Sequence, residues 1–244
     1  MLLESHVNKK YSPVIVALDS DADEKSVMDF INRLDPDLCE LKIGKYLFTK
    51  WGPDFVRTLV KKQFHIFLDL KFHDIPNTVF HACVAAAELG VWMLNVHISG
   101  GVEMMRAARK AIDQFPAKKK PLLIGVTVLT SLNEADLLFL GMHDSIEDTV
   151  LRMAKKAKEC GLDGVVCSAK EAILLRKELG KDFLLVTPGI RLINDAVDDQ
   201  KRIMTPEAAL ANGVDYLVMG RSIADAKNPR AILAAIKKHG IDTN

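Results

Sequence analysis

The chain has 244 residues, of which 49% are hydrophobic and 27% are charged. This composition argues against a disordered or membrane-spanning chain and predicts a globular protein with a sizeable core. The formal net charge of +1 argues against nucleic acid or an anionic membrane as the partner. Any anion-binding surface must therefore be local.

The amino-terminal residues contain Glu4, His6 and Asn8 where a secretory signal peptide would be apolar, and we expect a cytoplasmic protein. The cysteines lack Cys-x-x-Cys spacing, so the sequence predicts neither a metal site nor a disulfide framework. We expect four reduced and mostly buried thiols, at Cys39, Cys83, Cys160 and Cys167.

Short β-rich segments alternate with amphipathic helical segments, and no Pro/Gly/Ser-rich linker separates them. The predicted strands are Val14–Leu18, Leu38–Lys42, His65–Leu70, Met93–His97, Leu122–Leu129, Gly164–Cys167, Leu184–Thr187 and Tyr216–Met219. The predicted helices that follow them are Glu24–Leu34, Pro53–Lys62, Thr78–Leu89, Val102–Gln114, Ile146–Cys160, Ala169–Leu179, Pro206–Ala211 and Pro229–Lys238.

Continuous apolar strands such as Val14–Leu18 are typical of parallel strands that are buried on both faces. Successive βα units over residues 1–244 predict a single-domain TIM (β/α)8 barrel better than an open doubly wound sheet. No Gly-x-Gly-x-x-Gly follows the first strand, which argues against a dinucleotide-binding fold.

Charged residues lie at the carboxyl ends of the first three predicted strands, where barrel enzymes carry their chemistry. Because strand side chains alternate between faces, Asp19 can point into the barrel mouth. Lys42 ends the second strand, and Asp69 and Lys71 share one face of the third. We expect these two cations and two carboxylates to converge.

Asp74 follows Lys71 and completes an Asp-x-Lys-x-x-Asp pattern. Each member has a simpler explanation: Asp74 as the N-cap of a helix near Pro76, and Asp69 with Lys71 as a solvated ion pair. These simpler explanations account less well for all of the charged residues taken together, because burying several charges in one place is costly unless each is paired.

The seventh and eighth predicted strands lead into Thr187-Pro-Gly-Ile-Arg191 and Gly220-Arg221, where barrels commonly bind phosphate. Gly220 allows close approach of backbone N–H groups to an anion, and the arginines offer planar arrays of donors. Surface exposure of both arginines is the alternative. The polar segment 192–204 is long for a βα loop and predicts a lid, or else a tolerated surface insertion.

Three further polar positions leave alternatives open. His97 ends the fourth strand and is expected to support the site by hydrogen bonding rather than to donate a proton. Thr130 and Ser131 could contact a ligand or cap the next segment. Glu40 shares the parity of Lys42 and should lie deeper in the barrel, where its carboxylate needs a partner.

The segment Asp69-Leu-Lys-Phe-His-Asp-Ile-Pro-Asn-Thr78 closely resembles the signature of the orotidine 5′-monophosphate decarboxylase family, in its bacterial form. The resemblance continues in order along essentially the whole chain. It includes Ala17–Asp19, Leu41–Gly44, Val126–Ser131, Val186–Arg191, Arg202–Pro206 and Val218–Arg221.

This resemblance implies cofactor-free decarboxylation of orotidine 5′-monophosphate, with Lys71 as the proton donor and Asp69 beside the substrate carboxylate. It implies that Lys42 and Asp19 contact the ribose and that Thr130 contacts the pyrimidine. It also implies a homodimer in which Asp74 and Thr78 reach the partner's site. The remaining implied substrate-binding residues are Ile75, Pro188, Arg191, Gln200, Gly220 and Arg221.

Two other functions remain open from the sequence. One is a related metal-dependent barrel enzyme acting on a sugar phosphate, such as 3-keto-gulonate 6-phosphate decarboxylase, which shares the Asp-x-Lys-x-x-Asp pattern. The other is a catalytically silent nucleotide-binding barrel, against which the complete charged cluster argues. A barrel fold alone cannot distinguish them, because barrels host many chemistries.

Overall fold

The computed structural model describes residues 11–192 and 204–242. Eight parallel strands form a closed barrel in sequence order, with β1 paired to β8. This confirms the predicted (β/α)8 barrel. The strands are β1 Val14–Ala17, β2 Glu40–Gly44, β3 Ile66–Phe72, β4 Met93–His97, β5 Leu122–Val126, β6 Gly164–Val166, β7 Leu184–Pro188 and β8 Tyr216–Met219.

Helices follow the strands and form the outer layer. They are α1 Glu24–Asn32, α2 Lys45–Lys61, α3 Pro76–Glu88, α4 Val102–Asp113, α5 Glu134–Phe139, α6 Ile146–Glu159, α7 Ala172–Leu179, α8 Pro206–Ala211, α9 Arg221–Ala224 and α10 Pro229–Asp242. Side-chain caps fix several helix starts: Asp23 accepts a hydrogen bond from the Ser26 N–H, and Asn133 forms a capping box with Asp136. Within the described ranges, no helix has the length and apolar character needed to cross a bilayer.

The strands bury both faces, as parallel barrel strands should. Their outward side chains pack under the helices in one large apolar cluster. Their inward side chains fill the barrel, and each fully buried aliphatic or aromatic side chain there contributes roughly 1.5–3 kcal/mol. The inner cluster consists of Ile15, Ala17, Phe67, Met93, Ile124, Val186 and Val218. The barrel therefore has a packed interior beneath the carboxyl ends of its strands.

Glu40 is anchored within the barrel, and its partners come from neighbouring segments. Its residue is 1% exposed, and its Oε1 accepts a hydrogen bond from the Ser12 N–H at 3.2 Å. Its Oε2 lies 2.9 Å from His65 Nδ1, and the Tyr11 ring packs edge-on against His65. Burial, together with the Glu40 charge, raises the pKa of Tyr11. These contacts give Glu40 a structural role in attaching the segment before β1.

Several predicted boundaries were wrong. Helix α2 comprises two helical halves on either side of a kink at Gly52, whose φ is 67°. The predicted helix Pro53–Lys62 corresponds to the second half, with the proline at its start, whereas the first half, from Lys45, was not predicted. Strand β5 ends at Val126 rather than Leu129. The short helices α5 and α9 were not predicted, since neither is long enough to show a clear period.

Candidate active site

A cavity of about 790 Å³ opens where the strands end. Its size falls within the range of small-molecule sites, roughly 300–1,000 Å³. Most of the site residues predicted from the sequence line it, and they come from the ends of six different strands or the loops after them. These residues are Asp19, Lys42, Asp69, Lys71, Thr130, Pro188, Arg191, Gly220 and Arg221.

Four charged side chains form a continuous chain of alternating sign in this cavity. Lys42 Nζ lies 3.2 Å from Asp19 Oδ1 and 3.2 Å from Asp69 Oδ2. Lys71 Nζ lies 2.5 Å from Asp69 Oδ1. The Lys42 and Asp69 side chains are only 10% and 11% exposed, whereas the Asp19 side chain is 63% exposed. The buried charges are therefore mutually compensated, and the chain of charges reaches solvent through Asp19.

The cluster stabilises the charged forms of its buried members. Burial alone would lower the pKa of Lys42, but the carboxylates of Asp69 and Asp19 outweigh burial and raise it. Burial alone would raise the pKa of Asp69, but the charges of Lys42 and Lys71 and their hydrogen bonds lower it. Asp69 is consequently a carboxylate and Lys42 an ammonium at neutral pH.

Asn95 completes the environment of the Asp69–Lys71 pair, and the sequence reasoning missed it. Its Nδ2 donates to Asp69 Oδ1 at 2.7 Å, and its Oδ1 accepts from the Lys71 N–H at 2.8 Å. The residue is fully buried at the centre of β4. The available signal was an amide within the otherwise apolar segment Met93–Val96, at the position that alternates inward with Met93.

His97 lies beside this cluster and is neutral at physiological pH. Burial lowers the pKa of His97 to about 4, and the nearby His73, Lys45 and Lys71 contribute. Its ring centroid is 5.3 Å from that of His73. A neutral imidazole is a poor proton donor, which agrees with the supporting role expected from the sequence.

The loops after β7 and β8 bring the predicted anion-binding residues to one side of the cavity. Strands β7 and β8 are neighbours, and Pro188 is directly paired with Val218. Arg191 and Arg221 both line the cavity, and Gly220 precedes the first residue of α9. A Cβ at Gly220 would make only an ordinary contact with Ala17, so packing does not demand glycine there.

Thr130 and Ser131 line the cavity, while the nearby helix α5 is capped by Asn133. The capping alternative for these two hydroxyl residues is therefore wrong for this helix. Gln200 and most of the predicted lid, residues 193–203, lie outside the described residues. In the ranges that the structure describes, no group of three or more His, Cys, Asp or Glu side chains could hold a metal ion.

The structure does not bring Asp74, Ile75 and Thr78 to the cavity of their own chain. All three are exposed at the start of α3, and none lines the cavity among the described residues. The alternative of Asp74 as an N-cap is wrong, because Ile75 occupies that position. Asp74 Oδ1 instead accepts a hydrogen bond from the Ile75 N–H, and the Ile75 side chain is left 65% exposed.

A closed (β/α)8 barrel with compensated buried charges at its strand ends is typical of barrel enzymes that act on small molecules. The family model described as "Orotidine 5'-phosphate decarboxylase / HUMPS family" matches residues 12–236. The chain belongs to this family.

Individual relatives agree with this assignment over nearly their whole length. The chain is 57% identical to an orotidine 5'-phosphate decarboxylase of Pseudoalteromonas atlantica over 223 residues, which are 91% of this chain and 96% of that protein. It is 57% identical to one of Coxiella burnetii over 225 residues, or 92% of this chain and 95% of that protein. The crystal structure of an orotidine 5'-phosphate decarboxylase from Lactobacillus acidophilus superposes with a TM-score of 0.83 at 38% identity, covering 94% of this chain and 99% of that one.

Proposed function

We propose that this chain is one catalytic domain that decarboxylates orotidine 5′-monophosphate to uridine 5′-monophosphate and CO2, a step of pyrimidine biosynthesis. The observation that carries the proposal is the Lys71–Asp69 pair, joined to Lys42 and Asp19 at the mouth of the barrel, in a member of this family. Because the substrate is a charged metabolite made inside cells, the enzyme acts in the cytoplasm.

Lys71 supplies the proton in the proposed reaction. The bond between C6 and the carboxylate breaks, and its electron pair remains at C6 while CO2 leaves. The Lys71 ammonium stabilises that charge and transfers a proton to C6, after which solvent reprotonates the amine. Enzymes lower barriers by roughly 8–23 kcal/mol, and a carbanion without an electron sink requires the high end of this range. One ion pair cannot supply that amount, so several effects must combine.

Asp69 and Lys42 support this step from fixed positions. Asp69 is ionised, and its 2.5 Å contact holds the Lys71 ammonium beside the place where charge develops. Asp69 also faces the substrate carboxylate and repels it, which raises the ground state relative to the transition state, in which the carboxylate is losing its charge. Lys42 compensates the second oxygen of Asp69 and, with Asp19, binds the ribose hydroxyls. The site is thus charged before substrate binds, and little reorganisation is needed.

Binding energy far from C6 contributes to the reaction by holding the substrate in place. Arg221, Gly220 and Arg191 bind the phosphate, together with Gln200, while Pro188 lies against the bound nucleotide. Thr130 or its neighbour Ser131 contacts the pyrimidine.

A homodimer completes each site in this proposal. Asp74, Ile75 and Thr78 of one protomer enter the cavity of its partner, with Asp74 acting beside Lys71. Their exposure on a single chain supports this arrangement, since a second chain that covers this surface would account for a 65% exposed isoleucine beside an exposed carboxylate. Two-fold symmetry then creates two equivalent sites.

One assay tests the proposed reaction. Purified protein is incubated with orotidine 5′-monophosphate and EDTA, while the ultraviolet absorbance of the substrate and the release of CO2 are followed. We expect both signals to change in equal molar amounts at the same rate with and without EDTA. Loss of turnover on chelation would favour the metal-dependent relative, and tight nucleotide binding without turnover would favour the silent barrel.

A further inference from the structure

The side chain of Asn95 bridges two parts of the catalytic pair at once. Its amide group donates from Nδ2 to the carboxylate of Asp69 and accepts at Oδ1 from the backbone N–H of Lys71. Both distances, 2.7 Å and 2.8 Å, are those of well-formed hydrogen bonds. The residue is 0% exposed, so water does not compete for either bond.

The backbone of Lys71 needs such a partner. Lys71 has a φ of 52°, in the left-handed region, which is strained for a non-glycine residue. The register between β3 and β4 shifts between Leu68 and Phe72, so the regular ladder is interrupted around Lys71. Irregularities of this kind redirect a side chain next to an active site. Asn95 Oδ1 takes the Lys71 N–H within this interruption and so stabilises the unusual conformation.

The other half of the amide fixes Asp69. Asp69 Oδ1 receives both Lys71 Nζ and Asn95 Nδ2, which leaves Oδ2 facing Lys42. Rotation of the carboxylate would break the bond from Asn95 and exchange the two cations. An amide alone offers one donor and one acceptor in the required places; a carboxylate lacks the donor, and a hydrocarbon lacks both.

We propose that Asn95 is the positioning residue of this site, which locks the Lys71 backbone and the Asp69 carboxylate so that the Lys71 ammonium stays aligned with C6. The inference rests on the proposed function, in which Lys71 protonates C6. It predicts that Asn95 governs kcat and has little influence on nucleotide binding. A displacement of about 1 Å in a reacting group can cost on the order of 100-fold in rate.

Asn95→Leu keeps the branched shape of the side chain, with somewhat bulkier ends, and removes both hydrogen bonds. We expect kcat for orotidine 5′-monophosphate to fall about 10- to 100-fold, while KM and the Kd of uridine 5′-monophosphate change less than about threefold. A rise in KM of about 10- to 100-fold with an unchanged kcat would overturn the positioning role.

Asn95→Asp tests the donor to Asp69 separately and with minimal change in shape. The introduced carboxyl group can still accept from the Lys71 N–H, but its charged form repels Asp69. When it is protonated it can donate to Asp69 again. The ratio of kcat for Asn95→Asp to kcat for wild type should therefore rise as the pH falls from about 8 to about 5.5. A flat ratio would overturn the role of the donor.

The surrounding groups allow this pH test. The charged or titratable groups around Asn95 are Asp69 and Lys71 on β3, Lys42 on β2, Asp19 after β1 and His97 on β4 with its neighbours His73 and Lys45, whereas the adjacent β5 is apolar. His97, with a pKa of about 4, remains neutral over the tested interval. Any other pH dependence of kcat is present in wild type as well, so dividing by the wild-type kcat removes it.

Thr127→Val is the matched control. Thr127 is 4% exposed next to β5, and its Oγ1 donates to the Val166 carbonyl at 2.7 Å, outside the charged cluster. This variant should lose only the stability that one buried hydrogen bond contributes, and it should keep the wild-type kcat. Wild type that fails to decarboxylate orotidine 5′-monophosphate would overturn the proposed function together with this inference. If wild type is active and its activity depends on Lys71, but kcat of the Asn95 variants stays within about twofold of the wild-type value, this inference alone is overturned.

Discussion

Replacing Lys42 with methionine removes the cation that joins two carboxylates in the cavity. Lys42 Nζ is 3.2 Å from Asp19 Oδ1 and 3.2 Å from Asp69 Oδ2, and its side chain is 10% exposed. Charges about 4 Å apart attract by roughly 4 kcal/mol at an effective dielectric of about 20, and desolvation of both groups offsets part of this. Removing one partner leaves Asp69 buried beside Lys71 alone. Breaking a buried pair in this way costs about 3–5 kcal/mol.

Urea denaturation followed by circular dichroism at neutral pH measures this loss. We expect Lys42→Met to lower the free energy of unfolding by about 3–5 kcal/mol, and Lys110→Met, the same change at an exposed helical position, to stay within about 0.5 kcal/mol. Adding Asp69→Asn to Lys42→Met returns the summed charge of the cluster to zero and should restore part of the stability. A loss below about 1 kcal/mol for Lys42→Met, or a double variant less stable than the single one, would refute the reasoning.

Three further predictions concern the phosphate, the dimer and acid stability. Arg221→Ala should weaken uridine 5′-monophosphate binding about tenfold or more, because a charged hydrogen bond is lost. A substrate without phosphate should react equally poorly with variant and wild type. If the variant were much slower than wild type on that substrate too, the phosphate assignment would be contradicted. Dimers reassembled from Lys71→Ala and Asp74→Ala chains should recover roughly a quarter of wild-type activity, because about half of the dimers are mixed and each mixed dimer has one complete site of two. If native mass spectrometry shows heterodimers but no activity returns, Asp74 belongs to its own chain's site. The pKa of His97, about 4, lies below that of an unfolded histidine, so the unfolded chain binds the proton more readily and stability falls as the pH drops from about 6.5 towards 4. His97→Asn should remove roughly 1 kcal/mol of that decline, a figure discounted for the partly exposed ring, and equal declines in urea titrations of variant and wild type would disprove this.

Strand periodicity accounts for most of what the sequence predicted. The alternation of side chains is a local property, so the parity of Asp19, Lys42 and Asp69 indicated that they point into the barrel, and the structure brings them together with Lys71. Local patterns also mark each strand and helix along the chain, and the order of these elements predicted the closed barrel. Local patterns also predicted the depth of Glu40, but not its partners, because these lie on segments that only the fold brings near.

The features of the site that the sequence did not predict depend on contacts between segments that are distant along the chain. The role of Asn95 requires the register of β3 against β4, including its shift around Lys71, and no local pattern encodes that register. The positive φ of Lys71 was equally hidden, since lysine rarely adopts it. The roles of Asp74 and Thr78 depend on a second chain and remain predictions.

The role of Lys71 is tested most directly by the turnover of orotidine 5′-monophosphate by Lys71→Ala, measured beside its affinity for uridine 5′-monophosphate. The substitution removes the proposed proton donor, which is also the cation proposed to stabilise developing charge, and leaves the proposed phosphate-binding residues unchanged. We expect kcat to fall by on the order of 1,000-fold or more with the fold and much of the nucleotide affinity retained. A variant that kept a tenth of the wild-type kcat would show that Lys71 is not the principal acid.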